Sequence, residues 1–382
     1  MDNLLNSINL PLNQIKTPSY VADLPKIKEN LAIAKKIKDE TGCKIILATK
    51  AFSMFSIYPQ IAQILDGTTA SGIYEARLDR EEFGKEIHVY SPAYKEDEID
   101  EIIKISDNIY FNSVNQLEKF YSKTDRKTKN IGLRVNPQIN LVKNNQLYNP
   151  SSKNSRFGVQ IEEINDDTLN KIDILHIHNL CENLDHESLT LINHIDQKMS
   201  HLLKRIKYLN IGGGHYYTHP NYNTQNLIKA INQIQDKYNL KIIIESGATV
   251  VYEAGYLVSE VIDIVENKET PIAILDTSAT CHMPDVLEVP YRPNVIGSDD
   301  NYQYQYIFGG STCLTGDIIG NYSFKDKLKI GDKVIFSDMM QYSFVKNNTF
   351  NGVKLPSLAV FDGKNYKVIK EFGYQDFKNR LS

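Results

Sequence analysis

From residue 43 to residue 246 the chain repeats one rhythm: a short apolar run, a turn, then an amphipathic stretch. Eight such runs occur, at 43–50, 67–72, 86–91, 108–113, 130–136, 172–180, 208–212 and 241–246. Short apolar runs bounded by turn residues are buried strands, and their alternation with helical periodicity makes the sheet parallel. The helical period is clearest in SLTLINHIDQKMSHLLKRI (188–206) and NTQNLIKAINQIQDKY (223–238), where apolar residues return every three or four positions. LPKIKENLAIAKKIKDETG (24–42) supplies a further helix, with Gly42 placed to cap its C-terminus. Eight parallel strands with crossover helices close into a (β/α)8 TIM-type barrel. The interval 137–171 is long and polar, and is expected to form a loop lid.

Beyond about residue 250 the rhythm changes. YLVSEVIDIVEN, TPIAILDTS, YQYQYIFGG and DKVIFSDMMQYSFV are rich in β-branched and aromatic residues with turns between them, which predicts a mostly antiparallel β domain. The expected division is a barrel over 21–250 and a β domain over 251–382, to which residues 1–20 return. A chain of 382 residues can bury two such cores.

The formal charge is −4 and no Lys/Arg block interrupts it, which excludes a basic footprint for nucleic acid. No window reaches the ~18 consecutive apolar residues of a membrane helix. The N-terminus lacks the basic segment and apolar run of a secretory signal. The expectation is therefore a cytoplasmic protein without membrane or nucleic-acid partners. Cys43, Cys181, Cys281 and Cys313 share no CxxC spacing, so neither a disulfide framework nor a metal site is expected.

Barrels of this kind carry their working groups at the C-terminal ends of the strands. Lys50 closes the first strand, Arg134 the fifth and His178 the sixth; Gly212, Gly213 and Gly214 follow the seventh, and Glu245 lies on the eighth. Taken singly, Lys50 is a strand-end lysine reaching for solvent and the glycines are a tight turn. Together they offer an amine, bare backbone N–H groups suited to a phosphate, an imidazole and a carboxylate. Pyridoxal 5′-phosphate needs all four, the lysine for its aldehyde and the carboxylate to keep the pyridine nitrogen protonated. His176 faces the same side of its strand as His178, and His215 follows the glycines; both stay unassigned.

The chain also resembles the barrel-plus-β-domain enzymes of the alanine racemase and ornithine/diaminopimelate decarboxylase group. Within that group it is most similar to the branch acting on carboxynorspermidine and carboxyspermidine. The likeness runs from TPSYVADLPKI (17–27) to NNTFNGVKLPSLAV (347–360). ATKAFS (48–53) resembles the cofactor-lysine segment, GTTASGIYEARL (67–78) the second strand and its helix, and LRVNP (133–137) with SRFGV (155–159) the middle of the barrel. HNLCE (178–182), DTSATCHMPDVLE (276–288) and GGSTCLTGD (309–317) are the branch's own motifs.

The resemblance implies a pyridoxal-phosphate-dependent decarboxylase of polyamine biosynthesis, releasing norspermidine or spermidine and carbon dioxide. Lys50 would be the Schiff-base lysine, His178 would stack on the cofactor ring, and Glu245 would meet the pyridine nitrogen. Gly212 to Gly214 would bind the phosphate, Tyr342 would add a phosphate or ring contact, and Arg134 would lie near the phenolic oxygen. Cys313 would be the acid that protonates the substrate carbon. A homodimer with shared active sites is implied, Cys313 coming from one subunit and Lys50 from the other. A cationic polyamine tail asks for anions, for which Glu182, Asp276, Asp285 and Asp317 are the candidates. Asp317 stands foremost, because sister decarboxylases place an acid at the same spacing after the cysteine.

One departure from the group falls after the eighth strand. Glu245-Ser246-Gly247-Ala248 stands where Glu-Pro-Gly followed by Glu or Arg is usual. A rigid turn is lost, and with it the arginine that binds phosphate in the sister decarboxylases. Two further readings stay open. A decarboxylase of diaminopimelate or another basic amino acid would share the fold, but diaminopimelate would need a cation for its distal carboxylate, and that turn offers none. A catalytically silent cofactor-binding or regulatory protein would not need both Lys50 and Cys313.

Overall fold

The computed structural model describes residues 10–142, 149–152 and 154–382. Its strands, in chain order, are β1 (Ser19–Asp23), β2 (Lys44–Ala48), β3 (Gly67–Ala70), β4 (Glu86–Tyr90), β5 (Asn108–Phe111), β6 (Asn130–Arg134), β7 (Ile174–His176), β8 (Tyr208–Asn210) and β9 (Lys241–Ser246). There follow β10 (Gly255–Val265), β11 (Ile272–Leu275), β12 (Tyr304–Gly309), β13 (Ile318–Phe324), β14 (Lys333–Ser337), β15 (Ser357–Phe361) and β16 (Tyr366–Lys370). Two compact units result, one of residues 30–250 and one combining the described residues before 30 with 251–382.

In the first unit β2 to β9 close a barrel in which every neighbouring pair is parallel, β9 returning to β2. This is the barrel that the rhythm of apolar runs predicts. The sixth run, 172–180, contributes only the three residues of β7 to the ladder, and the rest forms the loop carrying His178. Helices Asp185–Leu203 and Thr224–Tyr238 bury their apolar faces, and the second ends on Asn239 in the left-handed region at φ 52°. Gly42 does the same for Leu24–Thr41, at φ 65°.

The expected lid needs correction. Within 137–171 a 3-10 turn, Ile161–Glu163, and a helix, Asp166–Lys171, close the interval, the helix capped by Asn165, which accepts from Thr168 N. Six residues are too few for a 3.6-residue period to show in so polar a stretch. Residues 143–148 and 153 of this interval lie outside the described residues.

Barrel interiors are ordinarily filled by Val, Ile and Leu. This one also buries His88, Tyr110, His176, Asn210 and Glu245. Gly132 on β6 makes the room: a Cβ there would lie 2.2 Å from Cδ1 of Tyr110.

The second unit is a sheet in the order β13-β12-β11-β10-β1-β15-β16, with β14 also paired to β10. Most pairs are antiparallel, but β1–β15 and β11–β12 are parallel. Leu10, Ile15, Val21, Val258, Ile335, Ala359 and Phe361 form one of its apolar clusters. Among the described residues no helix is long and apolar enough to cross a membrane.

Candidate active site

Five of the sequence-predicted positions meet at the C-terminal end of the barrel. Ala51 N donates to Ala48 O at 3.0 Å, a tight turn directly after β2 that presents Lys50. Among the described residues nothing hydrogen-bonds or ion-pairs with its ammonium. Burial lowers the Lys50 pKa, opposed by the charge of Glu245 and assisted by that of Arg134. An amine so biased is more readily nucleophilic at neutral pH.

Glu245 is 4% exposed and held from several sides. Asn210 Nδ2 donates to its Oε1 at 2.9 Å, His176 Nε2 stands 3.3 Å from the same oxygen, and His178 Nδ1 stands 3.5 Å from Oε2. Burial alone pushes this carboxyl up, but the His176 imidazole beside it outweighs that and holds the group well below the usual range. Burial and the nearby Lys50 push His178 down to about 3, so it is neutral at any physiological pH. Its Nδ1 accepts from Gly213 N at 3.1 Å, which leaves the proton on Nε2. His176, also depressed by burial, is 1% exposed, and its Nδ1 has no hydrogen-bond partner among the described residues.

Each residue of the glycine run is required by contact. A Cβ on Gly212 would fall 2.6 Å from His178 Cα, on Gly213 2.7 Å from Glu245 O, and on Gly214 2.2 Å from Leu180 O. The Gly212 amide is spent on Asn210 Oδ1 at 2.8 Å and that of Gly213 on His178. Only Gly214 has its N–H without an intramolecular partner among the described residues. Of the predicted phosphate cradle, then, two amides are used within the fold and one is left to a ligand. The turn that lacks its proline is fixed differently: Ser246 Oγ lies 2.6 Å from the hydroxyl of fully buried Tyr217. Arg134 is 7% exposed, donates to His178 O at 3.2 Å, and lies between the rings of Tyr90 (4.6 Å) and Phe157 (4.5 Å). Glu182 is exposed near this mouth, at φ 51°.

The other predicted residues belong to the sheet unit. Cys313 is exposed, and its amide donates to Asn351 Oδ1 at 2.8 Å. Asn351 lines an open cleft of ≈ 380 Å³ together with Asp276, Ser311 and Lys354. Asp276 takes both of its bonds on Oδ1, from Ser259 Oγ (2.6 Å) and Glu260 N (2.8 Å). Asp285 is paired with Lys346. Tyr342 is half-buried at φ 55°. Asp317 is only 3% exposed and accepts four hydrogen bonds from its own unit, because the chain folds back after the cysteine and turns the carboxylate inward. Asn210, Tyr90 and Asn351 carry site geometry that sequence reasoning missed. For Asn210 a signal existed, since a polar residue ends the apolar run just before the glycines.

Comparison with known proteins agrees with this architecture. Residues 19–340 match the family described as pyridoxal-dependent decarboxylase, C-terminal sheet domain. The chain is 39% identical over 381 residues to carboxynorspermidine/carboxyspermidine decarboxylase of Campylobacter jejuni, covering 96% of this chain and 99% of that one. It is 37% identical to carboxyaminopropylagmatine decarboxylase of Synechocystis, covering 98% and 97%. The crystal structure of carboxynorspermidine decarboxylase from Campylobacter jejuni complexed with norspermidine superposes with a TM-score of 0.89 at 37% identity, over 96% of this chain and all (100%) of that one.

Proposed function

Because the chain belongs to the pyridoxal-dependent decarboxylases, we propose that it removes carbon dioxide from carboxynorspermidine or carboxyspermidine, releasing norspermidine or spermidine. The observation that carries this reading is near full-length identity to enzymes of that name, over a barrel that brings Lys50, His178 and Glu245 to one mouth.

The cofactor is pyridoxal 5′-phosphate, and the residues present fit it. An amine without a partner among the described residues, a buried carboxylate biased to stay ionised, a neutral imidazole and a Gly214 N–H without an intramolecular partner among them are the groups it requires. When bound, it supplies the electron sink into which the electrons of the breaking carbon–carbon bond pass. Lys50 would hold the cofactor through its amine. Glu245 would keep the pyridine nitrogen protonated, His178 would pack against the ring, and Arg134 would serve the phenolic oxygen. Gly212 to Gly214 shape the phosphate pocket, with Gly214 N–H as donor and Tyr342 as a further contact. Cys313 gives its proton to the carbon that has lost carbon dioxide, and the thiolate is reprotonated from solvent. Asp276, at the cleft that Asn351 also lines, is the strongest of the tail acids, with Glu182 and Asp285 as the further candidates.

A homodimer belongs to this reading, Cys313 of one subunit serving the barrel of its partner, as does a cytoplasmic setting. Leu314 and Phe350, neighbours in sequence of Cys313 and Asn351, and Ile262, which lines the cleft, are 43%, 44% and 45% exposed, which a partner subunit would cover. A second substrate is favoured by one observation, the similar identity to carboxyaminopropylagmatine decarboxylase; its tail ends in a guanidinium in place of an amine.

The test is absorbance and carbon dioxide release. Mixed with cofactor, the protein should develop the visible band of lysine-bound pyridoxal phosphate, and Lys50→Ala should abolish it with all turnover. Release from carboxynorspermidine or carboxyspermidine, with none from diaminopimelate, supports the reading. A band with release from carboxyaminopropylagmatine alone would move the substrate to the second reading, and no band would remove both.

A further inference from the structure

The loop that ends in Cys313 is fixed from two sides. Thr312 donates to Asp317 Oδ2 through its amide at 3.2 Å and its hydroxyl at 2.6 Å. Ser278 Oγ donates to the same oxygen at 2.8 Å, and Thr280 N to Oδ1 at 3.2 Å. Backbone bonds complete the ring, from Gly310 N to Asp317 O at 2.8 Å and from Asp317 N to Leu314 O at 2.9 Å. A Cβ on Gly310 would fall 2.2 Å from Asp317 Oδ2, so only glycine there lets the carboxylate take this place.

On the far side Asn351 Oδ1 accepts from Cys313 N. Asn351 has φ 56°, in the left-handed region that asparagine tolerates. Its segment is tied back to the first, Asn348 N donating to Cys281 O at 2.9 Å and Asn348 Nδ2 to Thr280 O at 2.8 Å. Segments around 280, 313 and 350 therefore meet at one exposed thiol.

We propose that Asp317 and Asn351 are positioning residues for Cys313, and that Asp317 is not a substrate ligand. This rests on Cys313 as the proton donor. A carboxylate offers about four acceptor sites. With four bonds already accepted, Asp317 could meet an ammonium only by releasing its own loop. Its charge-assisted bonds serve to hold the thiol where a proton can reach carbon, a transfer steeply sensitive to placement.

The experiment uses the cofactor-loaded enzyme with carboxynorspermidine and four variants: Asn351→Gly, Asn351→Asp, Asp317→Asn and Cys313→Ala. Glycine keeps the left-handed backbone and deletes the acceptor; aspartate restores it. Alongside kinetics, the rate of Cys313 alkylation by iodoacetamide is followed by mass spectrometry. Asn351→Gly and Asp317→Asn should lower kcat by roughly 10- to 100-fold with KM within about twofold. Both should change the alkylation rate, and Asn351→Asp should recover most of kcat. A raised KM at unchanged kcat in Asp317→Asn would show a substrate ligand and overturn the proposal, as would an Asn351→Gly enzyme with wild-type kcat and alkylation. Should Asp317→Asn fail to fold, the Asn351 pair decides alone. Full turnover in Cys313→Ala would overturn the proton-donor role itself, while the alkylation rates still report on the loop.

Discussion

Behind Lys50 lies a carboxyl that the chemistry does not use. Asp79 is fully buried, its Oδ2 3.3 Å from Thr49 Oγ1, and burial pushes its pKa up to about 7. A carboxyl raised on folding stabilises the native state fully below its unfolded pKa, near ~3.9, and loses that contribution as pH climbs to the folded value. Urea unfolding of wild type and Asp79→Asn should therefore diverge in favour of the variant between about pH 4 and about pH 7, by a few kcal/mol, and run parallel above. A difference that does not vary with pH would mean that Asp79 is ionised throughout. Residues of this kind explain what sequence could disclose at this scale. Lys50 and Glu245 stand out because each is a charge at the edge of an apolar run. Asp79 does not, since a short polar side chain inside a helix resembles a surface position until its neighbours are known.

Strands β4, β5, β7, β8 and β9 share a polar column inside the barrel. From Glu245 it passes to Asn210, then from Asn210 Nδ2 to the Tyr110 hydroxyl at 3.2 Å, and from there to His88 Nδ1 at 2.8 Å. Asn210 is the joint: its amide nitrogen bonds Glu245 and its oxygen bonds Gly212 N. Asn210→Asp keeps the second bond and puts a like charge against Glu245, which raises one carboxyl pKa of the pair. Cofactor affinity in a fluorescence titration should fall at least about tenfold, with the loss easing as pH rises and Glu245 regains its charge; unchanged affinity would free Asn210 of any part in the site. The strands themselves were legible as elements, because apolar runs of four to eight residues between helical periods admit little else. Where they end was not. Run 172–180 looks like a long strand, yet His178 must leave the ladder to reach Glu245, and only tertiary contact with Gly212 requires that.

At the scale of the whole molecule, the proposed sharing of active sites between two subunits makes a direct prediction. Lys50→Ala and Cys313→Ala, each inactive alone, should regain up to about a quarter of wild-type activity when mixed under conditions of subunit exchange, since half the dimers then carry one intact site. No recovery would mean that each subunit works by itself. The barrel could be read from the chain as a whole; the parallel pairings of the sheet, β1 with β15 and β11 with β12, could not, because propensity marks a strand without choosing its neighbour.

The first of those pairings has a consequence in time. Ser19 Oγ bonds Ser357 O across 338 residues, and β1 lies between β10 and β15. A ribosome adding roughly 5–20 residues per second makes the barrel's strands well before it makes β15. For some tens of seconds β1 waits with at least one edge open, so the sheet is a clasp that only the last part of the message can shut.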